Sequence, residues 1–181
     1  VWMSHKGTMP VQSNKTAFEN CIDAVQKCHL FLGIITPYYG SGQDKENKEK
    51  ISITHKELRE AIRLNKPRWL LSHDHVVFAR AFLKGLNYNT TEEREKLELN
   101  PHTKVLNDLR IIDMYEEAIL SQHPLRDRKG NWVQGFQTDQ DAFLFATAQF
   151  SLFKEVEEFI NENLSDSKAA MLKAVKNGGK K

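Results

Sequence analysis

The sequence predicts an α/β fold: a parallel sheet with helices on its faces, followed by a mainly helical C-terminal half. Three observations carry this. The run LFLGIIT at 30–36 is apolar on nearly every residue and stops at Pro37, the pattern of a parallel strand buried on both faces. Strand-like and amphipathic helical segments alternate from residue 1 to 86, which fits parallel pairing through right-handed crossovers. Beyond residue 88 the apolar residues recur mainly at helical spacing, so that they share faces of helices.

Taken in order, 1–4 reads as a short strand and 5–15 as a loop with Gly7 and Pro10. Residues 16–27 form a helix with Phe18, Cys21, Ile22 and Val25 in phase, and Thr16 with Glu19 as a capping box, in which each side chain satisfies the other's free backbone N–H. Strand 30–36 is followed by a loop at 37–51 that contains the charge run DKENKEK. A helix at 54–64 turns Leu58, Ala61 and Ile62 inward and ends at Lys66-Pro67. Residues 68–72 make the next strand, and a helix started by Ser72 or Asp74 runs to 86 with Val77, Phe78, Ala81 and Phe82 inward. In the second half, 91–99 is helical with Thr90 and Glu93 as a capping box. Residues 105–120 fit a helix, with 110–114 open to a strand reading. Residues 123–138 form a polar loop, and 139–164 a long helix capped by Thr138. Its stripe of Phe143, Ala146, Phe150, Phe153, Val156 and Ile160, joined by Phe145 and Phe159, exceeds one packing face. Excess apolar surface of this kind marks a homodimer contact or an intramolecular docking surface. The expected domains are an α/β domain at 1–88, a helical extension at 89–164 and a flexible basic tail at 165–181.

With 181 residues, 40% hydrophobic and 28% charged, the chain can build a substantial core in one domain plus an annex. A net charge of +2 gives no electrostatic footprint for nucleic acid, so no nucleic-acid partner is expected. No apolar run approaches the length of a membrane span, and no signal peptide is visible. Two cysteines seven residues apart, outside any Cys-x-x-Cys pair, read as reduced thiols of a cytoplasmic protein. The opening Val-Trp-Met-Ser reads as the end of a strand without its lead-in, as in a shortened N-terminus.

Ligands of parallel α/β sheets bind beyond the carboxyl ends of the strands. Here that is where Tyr38, Tyr39 and the Gly40-Ser41-Gly42 turn meet the helix start bearing Ser52, Thr54, His55 and Glu57. No Walker A or Gly-x-Gly-x-x-Gly loop is present, so no cofactor is assigned. His73-Asp74-His75 offers only a local pair where zinc needs three or four converging ligands, so no metal is assigned either. Tyr38 or Tyr39 can stack on a base or nicotinamide ring, or anchor its own loop. Trp132 and the basic residues 126–129 fit a solvated loop. Glu57 fits two readings. With Thr54 it forms a capping box; alternatively, it is a carboxylate at a cleft mouth, able to orient ribose hydroxyls or stabilise an oxocarbenium-like centre.

The segment Ser52-Ile53-Thr54-His55-Lys56-Glu57-Leu58-Arg59-Glu60-Ala61 resembles the TIR-domain pattern Ser-Trp-Cys-x-x-Glu-Leu-x-x-Ala. More closely, 21–82 is similar to the bacterial domain of unknown function 4062 family, in which a strand ending in Tyr-Gly, here Tyr39-Gly40, is paired with a downstream Ser and Glu, here Ser52 and Glu57. Relatives of that family include TIR domains and nucleoside 2-deoxyribosyltransferases. The resemblance implies a flavodoxin-like sheet and, in the catalytic branches, cleavage of N-glycosidic bonds in nucleotides such as NAD. It places the catalytic role on Glu57, with Ser52, Tyr38, Tyr39, His5 and His73 around the nucleotide. Thr54 stands where the TIR pattern has Cys, Ile53 where it has Trp, and the deoxyribosyltransferase Asp-x-Gly motif is absent. A non-catalytic signalling or interaction module, of the kind found in bacterial defence or sensing proteins, is the other class the resemblance allows.

Overall fold

The computed structural model describes residues 2–3, 6–40, 51–100, 103, 105–151, 158 and 161. It divides into two compact units, Val1–Gln137 and Thr138–Lys181. Unit one contains α1 (Ala17–Lys27), β1 (Phe31–Ile35), α2 (Ile53–Arg63), β2 (Arg68–His73), α3 (Asp74–Gly85), α4 (Thr91–Arg94), α5 (Arg110–Ala118), a 3-10 turn at Leu125–Asp127 and β3 (Val133–Phe136). Unit two contains α6 (Asp139–Ser151).

The three strands form one sheet in the order β1-β2-β3. Both pairings are parallel, with Phe31 opposite Arg68 at the start of β1, Ile35 opposite Ser72 at its end, and His73 opposite Phe136. The fold is thus mixed α/β around a parallel sheet. The third strand comes from 133–136, inside the segment expected to be a polar loop. VQGF is too short, and interrupted by Gly135, to announce itself by alternation; it is a strand because β2 offers it a ladder. The sheet therefore continues well past residue 88, and the second half is not helical throughout. At the other end, Trp2 and Met3 are not in a strand: the Met3 carbonyl accepts from the Lys6 and Thr8 amides in a turn. Val1 and Ser4 lie outside the described residues.

Helices α2, α3 and α5 share one core with β1 and β2. Ile35 and Leu70 meet Leu58, Val76, Leu83, Ile111, Ile112 and Ala118, all buried. On the opposite face of β1, Leu32 and Ile34 are 36% and 43% exposed. The expected burial of both faces therefore fails on that side of β1. Strand hydrophobicity shows what can be buried, not what is present to cover it.

Local signals locate helix starts well. Thr16 with Glu19 and Thr90 with Glu93 are both complete capping boxes, and Asp141 donates its amide to Thr138 Oγ1. Helix α4 is only one turn long, and α5 starts at Arg110 without a side-chain cap, so 110–114 is helix, not strand. His73, rather than Ser72 or Asp74, caps α3: its Nδ1 accepts the His75 amide at 3.1 Å. The expected apolar stripe of α6 beyond Ser151 falls outside the described residues.

Gly33 lies at the tightest point between sheet and core. A Cβ there would sit 2.8 Å from Leu70 Cδ2 and 3.0 Å from Phe31 Cε1. Leu70 is fully buried and has no room to turn away. Gly33→Ala is expected to lower stability by about 1–3 kcal/mol, the usual cost of overpacking, as read from a denaturant melt.

Candidate ligand site at the carboxyl end of β1

Pro37 ends β1, and the chain must turn before it can enter α2. The turn is pinned from α5's approach segment: the Tyr39 amide donates to Asn107 Oδ1 at 2.9 Å, and the Asn107 amide donates to the Pro37 carbonyl at 3.2 Å. Gly40 then takes φ +92, a left-handed backbone that glycine adopts without strain. A Cβ there would meet Thr54 Oγ1 at 3.4 Å, so the turn lies directly on the start of α2.

These elements enclose a cleft of about 250 Å³, lined by Ile34, Ile35, Thr36, Tyr38, Tyr39, Gly40, Thr54, Ile111 and Met114. Its walls are aliphatic and thioether groups, with hydroxyls from Thr36, Thr54 and Tyr38. Tyr38 is 61% exposed, whereas Tyr39 is buried. Tyr39 is the loop anchor of the pair, held at its amide by Asn107. A larger depression of about 490 Å³ along α6 is made by Asp139, Gln140, Phe143 and Leu144 of that helix alone.

Beneath the cleft runs a buried polar chain. The Tyr39 hydroxyl lies 2.7 Å from His55 Nδ1, and His55 Nε2 lies 3.2 Å from Glu117 Oε2. The second contact is electrostatic rather than a well-aligned hydrogen bond, since Nε2 has no partner of good geometry. Glu117 is gripped on both oxygens by Arg59, at 2.8 and 2.7 Å. Burial pushes the Tyr39 phenol up from its ordinary value, against the pull of the Ser52 backbone and the Arg110 guanidinium over its ring. Burial would raise the Glu117 carboxyl too, but His55 and Arg59 bring it down to about 2.

Ser52, fully buried, is the N-cap of α2: its Oγ accepts the His55 amide at 3.2 Å. The capping box expected at Thr54 and Glu57 is therefore not formed. Helix α2 begins earlier, and Thr54 is left to line the cleft. Glu57 turns instead toward α1, half-buried, with the Cys21 thiol donating to its carboxylate. Desolvation lifts the Glu57 carboxyl to about 7, opposed only by that thiol. Cys21 is itself pushed to about 11, first by burial and then by Glu57. Glu57 is not among the lining residues of the cleft. His73 stands at the carboxyl end of β2, edge-on to His75 and to Phe136. It too is apart from the lining. His5 lies outside the described residues.

Of the candidate residues, the cleft thus brings together Tyr38 and Tyr39, with Ser52 behind them. His55 was named at the helix start but given no role, and Glu117, Asn107 and the α5 residues Ile111 and Met114 were missed. No local pattern links Glu117 or Asn107 to β1, because α5 reaches the cleft only through packing. Among the described residues, no group of three or more His, Cys, Asp or Glu could hold a metal ion. No helix among them is long and apolar enough to cross a membrane.

No curated protein and no solved structure matches the chain. The model of one family, described as Domain of unknown function (DUF4062), matches residues 1–165. That match spans most of the 181 residues, so the chain belongs to the DUF4062 family.

Proposed function

We propose that the chain is a TIR-like nucleotide-binding domain whose cleft beyond β1 receives the ring of a nucleotide such as NAD, and that Glu57 supplies the carboxylate for N-glycosidic cleavage. The observation that carries this reading is the cleft itself. It lies at the carboxyl end of a parallel strand, where α/β sheets place their ligands, and combines apolar walls with an exposed aromatic ring at Tyr38. For the chemistry, Glu57 stands one helical turn after Thr54, which lines the cleft. A carboxyl held near neutrality by burial, with no cation against it, is suited to acid–base and charge-stabilising work.

Incubation with NAD and a panel of nucleotides, read by mass spectrometry and by calorimetric titration, tests this. Binding that weakens in Tyr38→Ala, and turnover lost in Glu57→Gln with binding retained, is the expected result. Binding without turnover leaves Glu57 out of the chemistry. Absence of both removes the cleft as a nucleotide site. The second reading, a non-catalytic interaction module, is favoured by α6, where Phe143 and Leu144 are exposed. A concentration-dependent dimer in light scattering, abolished by Phe143→Asp, supports that one.

A further inference from the structure

The buried chain under the cleft ties the turn at Pro37–Gly40 to Glu117, a partly buried carboxylate on α5. The 2.7 Å contact between the Tyr39 hydroxyl and His55 Nδ1 allows donation in either direction. The Glu117 carboxylate only accepts, so a neutral His55 carries its proton on Nε2, 3.2 Å from Glu117 Oε2. In that tautomer Nδ1 is the acceptor and the Tyr39 hydroxyl donates to it. Glu117 is in turn fixed by both guanidinium contacts of Arg59. This is the order acceptor-fixed imidazole, orienting carboxylate and clamping cation, in which each group sets the tautomer or rotamer of the one before it. Three of its features are unusual for simple core filling. His55 is only 1% exposed, yet both ring nitrogens face polar groups. The Tyr39 ring meets the imidazole edge-on, with centroids 5.7 Å apart, so the phenol cannot rotate without losing the contact. And Tyr39 lies between Tyr38 and Gly40, which line the cleft beside it.

We propose that His55 and Glu117 are positioning residues for the cleft: they hold the Tyr39 hydroxyl, and through it the turn carrying Tyr38, in the ligand-receiving conformation. The turn has two anchors, and they are of different kinds. Asn107 holds the backbone of Tyr39 through its amide. His55 holds the side chain through the hydroxyl. Removing the second leaves the first, so the turn loosens without the core opening. Helix α2 is also independently capped by Ser52 on the His55 amide, a backbone contact that survives any substitution of the His55 ring. The ring can therefore be altered with the helix start intact. What this adds to the nucleotide reading, on which its binding arm rests, is that affinity depends on residues that never touch the ligand.

The test uses the full chain with Tyr39→Phe, His55→Ala and Glu117→Gln. Hydrogen exchange is followed residue by residue, and the titration against NAD and the nucleotide panel is repeated. Tyr39→Phe keeps the ring and its packing and removes only the hydroxyl. It is expected to speed exchange at the Tyr38, Tyr39 and Gly40 amides at least tenfold, while the amides of Leu70 and Ile112 keep their protection. The ligand bound by the native chain should bind at least tenfold more weakly. Imidazole nitrogen shifts report the tautomer directly. In the native protein His55 should show an unprotonated Nδ1 and a protonated Nε2, with the Nδ1 signal moving in Tyr39→Phe. Glu117→Gln should give the same local loosening to a smaller degree, because an amide oxygen still faces Nε2 with a partial negative charge. Exogenous imidazole added to His55→Ala should restore slow exchange in the turn. Unchanged exchange at Tyr38–Gly40 in Tyr39→Phe, or loosening spread evenly through the core, would overturn the proposal and reduce the chain to ordinary packing. If the native protein binds none of the nucleotides, the cleft reading fails by itself, and the exchange and tautomer measurements still decide the positioning role.

Discussion

Glu57→Gln is expected to make the protein more stable at pH 8 and to leave it unchanged at pH 4. The half-buried carboxyl is lifted from 4.5 to about 7 by desolvation. A folded-state value above the unfolded one means that the protonated form is favoured in the fold. Its stabilising contribution is therefore complete below about 4.5 and is lost as the pH rises through about 7. Above that, the native protein holds a charge it would rather expose. The interval from 4.5 to about 7, at about 1.4 kcal/mol for each pKa unit, sets a ceiling of about 3.5 kcal/mol, reduced by whatever solvent reaches the group. Glutamine has no proton to lose, so the variant escapes the penalty. In thermal melts at several pH values the two proteins should coincide in acid and separate between pH 5 and 8, by several degrees at the upper end. The strongly acidic carboxyls of Glu60 and Glu117 are common to both proteins and cancel in the comparison. Coincidence at every pH would show that Glu57 is solvated. If Glu57 acts as an anion in N-glycosidic cleavage, turnover should follow the opposite course, rising with pH through about 7 and vanishing in the variant. A stability gain with an activity loss in one substitution is the signature of a carboxylate kept for function.

Asp113→Ala is expected to be the most damaging substitution among the polar groups. Arg94, in the short helix α4, has its side chain almost fully buried and is paired to Asp113 of α5. It also donates to the Asn89 carbonyl at 2.9 Å, while its Nε has no partner. Asp113 further accepts from the Thr91 hydroxyl at 2.9 Å. Removing the carboxylate leaves a buried guanidinium without its ion-pair partner, which costs about 3–5 kcal/mol. Replacing both partners together, Arg94→Met with Asp113→Leu, should recover most of that loss, because the desolvated charge is gone as well. By contrast, breaking the Arg63–Glu60 pair, whose guanidinium end is exposed, should change stability by less than about 1 kcal/mol. Denaturant melts of the three variants, Asp113→Ala, the double replacement and Glu60→Ala, separate these cases. A cost for Asp113→Ala no larger than that of Glu60→Ala would mean the Arg94 site is open to water.

What the sequence determined by itself was local. Apolar runs placed β1 and β2, helical spacing placed α1, α2 and α5, and the Thr16–Glu19 and Thr90–Glu93 boxes fixed two helix starts, because a cap and a periodic face are complete within one element. The spacing also placed α3 but not its inner face: Val76 and Leu83 are buried, while Phe78 and Phe82, expected inward, are 67% and 56% exposed. The cleft's first wall followed too, since Tyr38, Tyr39 and Gly40 must lie where β1 ends. Only the tertiary structure decided the rest. Whether VQGF becomes a strand depends on the ladder β2 presents, not on four residues of its own. Thr54 and Ser52 compete to cap the same helix, and Ser52 holds that position, with its Oγ on the His55 amide. That sends Glu57 toward Cys21 instead of back onto its own backbone, and so sets its charge state. The contacts of His55 with Tyr39 and Glu117 join three elements distant in sequence. Their meeting is a product of helix α5 packing across α2, a geometry that no local period encodes.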